Sequence, residues 1–314
     1  MIRRCRYSVP LPDRSPLQLG ERTLVMGVVN VTPDSFSDGG RWQEPDRAVD
    51  HAMDMEAAGA AVLDIGGEST RPGAVALSAK AELDRVVPVL ERLAGRVSVP
   101  LSIDTYKAEV ARVAIDHGAT IINDISGLLY EPALAKVVAE GRAALILMHN
   151  RGRSKDMYRQ ARYGDVGREV ASELSMSIDS AVQAGIKRSQ IIIDPGLGFA
   201  KYTEHNYAAL LGLGRLAALD RPVLVGPSRK SFLSGTHELR PTDREWGTAA
   251  AITAAIFEGA HMVRVHRVPE MIRVVEVADR FLAVNERLSF QKAEDNRLAE
   301  PASSGAGLLG QRQS

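Results

Sequence analysis

A single cysteine, Cys5, is all that the 314 residues contain, so no disulfide framework can form within the chain. A cysteine-ligated metal site is set aside for the same reason, and Cys5 reads as an incidental thiol. Net charge is also missing: 39 Lys and Arg balance 39 Asp and Glu. Bulk attraction to nucleic acid or to an anionic membrane surface is therefore not expected, and any anion site must be local. No stretch approaches the roughly 18 to 20 apolar residues that span a bilayer. The basic Met1-Ile2-Arg3-Arg4 has no apolar run behind it of the kind a secretory signal carries, so the expected location is the cytoplasm. Three motifs are absent as well. Without Gly-x-Ser-x-Gly there is no nucleophile elbow, and without His-x-x-x-His or a carboxylate cluster there is no zinc site. Without Gly-x-Gly-x-x-Gly after the first apolar run, a dinucleotide-binding sheet is weakened.

What is present is an alternation. A helical stretch rich in Ala, Val and Leu ends at a glycine, and a short apolar run then ends at a polar residue. Gly59 leads to Ala60–Leu63 and Asp64; Gly118 to Ala119–Ile122 and Asn123; Gly141, through Arg142, to Ala143–Met148 and His149. Gly185 leads to Ile191–Ile193 and Asp194, and Gly259 to Ala260–Val263 and Arg264. Glycine adopts the left-handed conformation that closes a helix at little cost. A short run apolar at every position suits a strand buried on both faces, as in a parallel sheet. Leu24–Val29 before Asn30, Leu101–Ile103 before Asp104, and Val223–Val225 near Ser228 complete eight such runs. Strict alternation of strand and helix predicts a parallel sheet, and eight repeats favour a closed α/β barrel, a (β/α)8 fold of the TIM type, over a doubly wound sheet. Residues 1–22 are expected to be an irregular lead-in, with a short hairpin capping the barrel bottom as one form. Residues 23–286 are the barrel, with its last helix near Pro269 to Val284. Residues 287–314, polar and rich in small residues, are expected to be a disordered tail.

Active sites of such barrels lie at the C-terminal strand ends. Here those ends carry Asn30, Asp64, Asp104, Asn123, His149, Asp194, Ser228-Arg229-Lys230, and Arg264 with His266. A single Asp at a strand end is more often a cap or turn former. Asp64, before Gly66-Gly67, reads as structural support; Asp104 could equally cap a helix starting at Lys107; His149 alone reads as a structural or rim residue. The concurrence of polar ends favours a site. Buried carboxylates and amides mixed with cations suit a flat heterocycle beside an anion, and Arg264, His266 and Arg71 could hold a phosphate or pyrophosphate.

The segments Met26-Gly-Val-Val-Asn-Val-Thr-Pro-Asp-Ser-Phe-Ser-Asp-Gly-Gly40 and Asp64-Ile-Gly-Gly-Glu-Ser-Thr-Arg-Pro-Gly73 resemble the first two signature loops of dihydropteroate synthases. Ser102–Lys107, Ile122–Gly127, Asp194–Lys201, Ser228–Leu233 and Arg264-Val-His266 match the rest in order, so the resemblance spans about residues 24 to 284. It implies an enzyme of folate biosynthesis, a transferase and a sulfonamide target, that joins 6-hydroxymethyl-7,8-dihydropterin diphosphate to 4-aminobenzoate. By resemblance, Asp104, Asn123, Asp194 and Lys230 hold the pterin, and Met148 and Phe199 line its slot. Asn30 contacts a Mg²⁺ that accompanies the diphosphate. Thr70, Arg71, Arg264 and His266 contact the diphosphate, and Phe36, Pro72, Phe199 and Ser231 frame the aminobenzoate. Ser231 is expected to open a helix whose N-terminus suits a carboxylate, and the loop with Thr32, Pro33 and Phe36 to close over the site. Pro227 departs from the small or hydroxylic residue expected there. The family commonly forms homodimers through its last helices, which the apolar faces near Ile252–Phe257 and Met271–Val277 permit. Two other readings compete: a pterin-binding module like the folate-binding barrel of corrinoid methyltransferases, which has no use for a diphosphate grip, and a lapsed homologue, which should have lost polar strand ends that this chain keeps.

Overall fold

The computed structural model describes residues 1–2, 4–31, 44–70, 73–153, 155–235 and 237–299. The chain begins with an antiparallel hairpin, β1 (Tyr7–Leu11) and β2 (Arg14–Leu19). Eight strand–helix units follow. They are β3 (Leu24–Asn30) and α1 (Glu44–Ala57), β4 (Val62–Gly66) and α2 (Ala79–Leu93), β5 (Leu101–Asp104) and α3 (Ala108–Asp116), and β6 (Ala119–Asp124) and α4 (Ala133–Gly141). The second half has β7 (Ala144–Met148) and α5 (Val166–Gln183), β8 (Ile191–Asp194) and α6 (Thr203–Leu211), β9 (Leu224–Val225) and α7 (Glu245–Phe257), and β10 (Met262–Val265) and α8 (Val268–Ala299).

The eight strands pair in parallel in the order β8-β7-β6-β5-β4-β3-β10-β9. A single parallel bridge, Ile193 to Val223, joins β8 to the segment leading into β9 and closes the ring. The fold is therefore a (β/α)8 barrel, and the doubly wound alternative falls away.

Two apolar layers form because the strands bury both faces. Outward side chains such as Leu63, Ile103, Ile122 and Val263 pack on the helices. Inward ones, including Met26, Val62, Ile121, Ile146, Ile192 and Met262, fill the lower barrel. Val9, Leu11, Leu17 and Leu19 of the hairpin join that inner cluster, so residues 7–19 form a plug across the barrel bottom. Each such leucine contributes roughly 1.5 to 3 kcal/mol by leaving water.

Four of the five helix-closing glycines sit at positive φ: Gly59 at 105°, Gly118 at 92°, Gly185 at 100° and Gly259 at 99°. After α4 the left-handed residue is instead Arg142, φ 53°. Gly141 is small for another reason: a Cβ there would stand 2.9 Å from Ile115 Cδ1. The last helix also departs from expectation. It continues to Ala299, well beyond Val284, so residues 287–299 are helical. The shift in composition there brings no Gly or Pro before Pro301, and nothing local stops the helix until then. Residues 300–314 lie outside the described residues.

Candidate active site

Toward the C-terminal strand ends the barrel interior turns polar. Asp64, fully buried on β4, sits at its centre. Ser102 Oγ donates to Asp64 Oδ1 at 2.6 Å, while Asn123 Nδ2 and Arg264 Nε donate to Oδ2 at 2.9 and 2.6 Å. Arg264 Nη2 then donates to Asp104 Oδ2 at 2.7 Å. Strands β4, β5, β6 and β10 are thus tied by side chains as well as by backbone. Such a centre is stable only because its charges are paired and hydrogen-bonded.

Above this centre lies a cavity of about 1170 Å³ lined by Asn30, Thr70, Asp104, Phe199, Ser228, Lys230, Ser231, Arg264 and His266, with Gly226 and Gly198 among its walls. Asp104 does not cap α3, whose first turn has no side-chain cap; it turns inward to Arg264. Its other oxygen, Oδ1, is buried with no hydrogen-bond partner among the described residues. Burial pushes the Asp104 carboxyl up to about 7, against the pull of Arg264.

Asp194, Met148 and Asn123 lie beneath the cavity rather than on its walls, each almost fully buried. Asp194 Oδ1 accepts from Gly196 N at 2.7 Å. Its other oxygen is 4.0 Å from where a Cβ on Gly226 would stand, so the glycine leaves that carboxylate edge open to the cavity. Burial pushes Asp194 up to about 6, with the Gly196 N–H and Lys230 opposing. Lys230 Nζ lies 4.0 Å above the Phe199 ring. Gly198 is required beside it, since a Cβ there would sit 2.7 Å from Lys230 Cδ. Met148 and Phe199 share an apolar cluster with Ile125, Met157 and Ala200. The result is a slot with one apolar face, one cation, and two carboxyl groups held near neutrality by burial.

Beside the slot, Ser228 Oγ and His266 Nδ1 are 2.9 Å apart, and Arg229 Nε donates to Glu245 Oε1 at 2.6 Å. Ser231 opens a helix as expected, but it is a single 3-10 turn, Ser231–Ser234, too short to bring a sizeable helix dipole to the site. Two of the donors of Arg264, expected on the diphosphate, are engaged by Asp64 and Asp104. Phe36, Arg71 and Pro72, together with Thr32 and Pro33, lie outside the described residues.

Three features went unread in the sequence. Asp64 is the hub of the network, although its position suggested only support. Lys107 bridges Glu68 and Glu82, fixing the start of the loop that carries Thr70. His149 takes the structural one of its two expected places, and what went unread is its position between the buried ammonium of Lys201 and Glu173. Such partnerships join residues 24 to 200 positions apart, and no local pattern encodes them. Only the occurrence of Asp64, Glu68, Lys107 and Lys201 within the quoted motifs hinted at a role.

The chain matches the model of a family described as pterin binding enzyme over residues 26–266. It is similar to dihydropteroate synthase of Synechocystis sp., 46% identical over 275 residues that cover 87% of this chain and 95% of that protein. It is also similar to the Bacillus subtilis dihydropteroate synthase, 44% identical over 85% of this chain and 92% of that protein. Among solved structures, a Yersinia pestis dihydropteroate synthase with a sulfonamide drug superposes with a TM-score of 0.82 at 40% identity, covering 88% of this chain and 99% of that one. A Xanthomonas albilineans dihydropteroate synthase in complex with 7,8-dihydropteroate superposes with a TM-score of 0.75 at 41% identity, covering 84% of this chain and 94% of that one. The chain belongs to the pterin binding enzyme family and, within it, to the dihydropteroate synthases.

Proposed function

We propose that this protein condenses 6-hydroxymethyl-7,8-dihydropterin diphosphate with 4-aminobenzoate to give 7,8-dihydropteroate and pyrophosphate. The observation that carries the reading is a pair of carboxyl groups beside Lys230 and the apolar slot: Asp194, buried beneath the cavity, and Asp104 on its wall with Oδ1 buried. The buried Asp104 Oδ1 lacks a donor in the protein, and a buried acceptor of this kind calls for one from a ligand. A pterin supplies ring and amino N–H donors on one edge and ring acceptors on another. Asp194, beside the open Gly226, accepts from the amino-pyrimidinone edge, and Lys230 donates to ring acceptors. Phe199 and Met148 cover the ring faces.

The reaction on this scheme needs no protein nucleophile. The bond from the pterin methylene to the diphosphate oxygen breaks, its electron pair leaves with pyrophosphate, and the amine nitrogen of 4-aminobenzoate attacks the methylene and loses a proton. Asp104 and Asp194 stabilise the positive charge that develops on the pterin. Thr70, Arg71, His266 and Arg264 draw the leaving group, and Phe36, Pro72, Phe199 and Ser231 frame the aromatic amine. Water must be kept away from the methylene, because it would compete with the amine.

Mg²⁺ fits this site in one way. No cluster of three or more His, Cys, Asp or Glu able to hold a metal occurs among the described residues. Asn30, at the end of β3 and on the cavity wall, offers an amide oxygen that would hold the ion alongside diphosphate oxygens and water. Mg²⁺ is commonly held in that manner, with few protein ligands. When bound it supplies charge neutralisation on the leaving diphosphate.

The partner is read as a second copy of the chain. The expected faces at Ile252 and Ile256 and at Met271 and Val275 are buried against the barrel. Val277, which ends the second of those faces, is exposed, and with Phe281, Val284 and Leu288 it forms a stripe along α8 at helical spacing. We assign the dimer contact to it. The cytoplasmic location is our reading of the sequence alone. No helix among the described residues is long and apolar enough to cross a membrane.

The deciding test is pyrophosphate release from the purified chain with both substrates and Mg²⁺, each omitted in turn. Release dependent on both substrates supports the synthase. Tight pterin binding without release points to a binding module instead.

A further inference from the structure

Behind the pterin slot, where no substrate role has been assigned, a lysine is buried. Lys201 is 1% exposed, yet among the described residues no carboxylate hydrogen-bonds its ammonium. Its Nζ donates to Gly196 O at 3.1 Å, to Phe199 O at 3.2 Å and to His149 Nδ1 at 2.8 Å. An ammonium has three donors and no acceptor, so the three contacts use it completely. They also set the imidazole: Nδ1 accepts, so Nε2 carries the proton and donates to Glu173 Oε2 at 3.0 Å. Arg151 braces Glu173 from the far side through Nε, 3.1 Å from both carboxylate oxygens.

The segment that Lys201 grips is strained. Gly196, Gly198 and Ala200 have φ of 68°, 79° and 47°, three left-handed residues within five. For alanine that conformation costs free energy and persists only where surrounding bonds impose it. The bonds are present on every side. Besides the two carbonyls held by Lys201, Ala200 O accepts from Tyr163 OH at 3.0 Å, and Gly198 N donates to Asn206 Oδ1 at 2.6 Å. The same segment carries the Phe199 ring, and its Gly196 N–H binds Asp194.

We propose that Lys201 is a positioning residue for the pterin half of the reaction: its ammonium, oriented by the His149–Glu173 pair, holds the Gly196–Ala200 turn in its strained form and so places Phe199 and the Asp194 carboxylate against the pterin. Four charged groups surround it: Asp194 on β8, Arg151 after β7, Glu173 on α5 and Lys230 after β9. The desolvated ammonium, whose burial lowers it to about 7, is supported by Asp194 and Glu173 and opposed by Arg151 and Lys230. The assignment rests on the synthase reading for its substrate. It makes a claim that general destabilisation does not: the two substrates respond differently.

The test is Lys201→Met, which keeps the stem and removes the charge and donors. Pterin diphosphate binding is measured by calorimetry, and KM for each substrate by pyrophosphate release, alongside the parent chain. A folded variant should lose roughly 10- to 100-fold in pterin affinity, with pterin KM raised by a similar factor, the scale that a misplacement of about 1 Å costs. KM for 4-aminobenzoate should rise clearly less, by no more than about fivefold, since of the residues that frame that substrate the turn carries only Phe199, whereas the pterin depends on both Phe199 and Asp194. Unchanged pterin affinity, or equal loss for both substrates, overturns the proposal. If Lys201→Met does not fold, Tyr163→Phe removes one bond to the same turn from its outer side. That variant should raise pterin KM about fivefold, the worth of roughly one hydrogen bond, and an unchanged pterin KM then overturns the proposal. Failure of the parent chain to release pyrophosphate would overturn the synthase reading instead, while calorimetry with the pterin alone still decides the role of Lys201.

Discussion

Arg264 lies between two carboxylates, 2.6 Å from Asp64 through Nε and 2.7 Å from Asp104 through Nη2. Asp64 is fully buried and is shared with Ser102 and Asn123, so the orientation of Arg264, and through it of Asp104, is decided beneath the cavity.

Asp64→Asn should therefore cost about 3 kcal/mol of stability, because it leaves Arg264 with one carboxylate partner in a buried setting. Turnover should fall with it, as Asp104 loses its brace. Urea unfolding measures the first effect and steady-state kinetics the second. Parent-like stability would remove Asp64 from the centre of the network.

Asp194 gives opposite pH signs for stability and binding. Its carboxyl ordinarily titrates at 3.8 and is pushed up to about 6 in the fold. Between those values the folded state holds a proton that the unfolded chain has released, so stability falls as pH rises across the window. Asp194→Asn should flatten that slope. Pterin binding uses the ionised carboxylate, so affinity in the parent chain should rise as pH passes through about 6, a rise that Asp194→Asn should lack. Calorimetry from pH 5 to 8 checks this; a flat profile counts against Asp194 as the acceptor.

The plug at the barrel bottom should matter for stability alone. Leu19, 2% exposed in the inner core, contributes nothing to the cavity at the other end. Leu19→Ala should cost about 2 to 5 kcal/mol and leave kcat unchanged well below the melting temperature. A selective drop in kcat would show that the two ends communicate.

Removing Mg²⁺ by chelation should abolish turnover without lowering the melting temperature, since no acidic cage occurs among the described residues to collapse. A destabilised apo chain would make the ion structural and displace Asn30 as its contact.

Phe281→Asp tests the partner assignment. Phe281 is 59% exposed and packs edge-on to Phe257, 6.3 Å between ring centres. A charge there should convert a dimer to monomers in analytical ultracentrifugation. A parent chain that sediments as a monomer would withdraw the assignment.

The barrel could be read from the chain because its strands are buried on both faces: Ile191–Ile193 or Ala144–Met148 has no other place in a soluble fold. The residues on the cavity wall, such as Asp104 and Lys230, were legible for a related reason, since a polar residue that ends an apolar run must emerge where the strand does. What the chain did not reveal is pairing across it. Asp64 and Arg264 are 200 positions apart, and Lys201 closes a motif whose visible features are its glycines. Arg142, in a left-handed turn beside a glycine that needs only to be small, shows how a local rule can place the right feature one residue early.

The seam of the barrel has a consequence for the energetics of occupancy. Strands β8 and β9 meet through one bridge, Ile193 to Val223, and β9 is two residues long. Asp194 follows directly on one side of that seam and Lys230 a few residues beyond the other. A ligand held by both is a clasp across the least hydrogen-bonded joint in the ring. Amide exchange at Ile193 and Val225 should accordingly be the fastest among the barrel strands in the empty enzyme, and should slow more than that of any other strand when the pterin is bound.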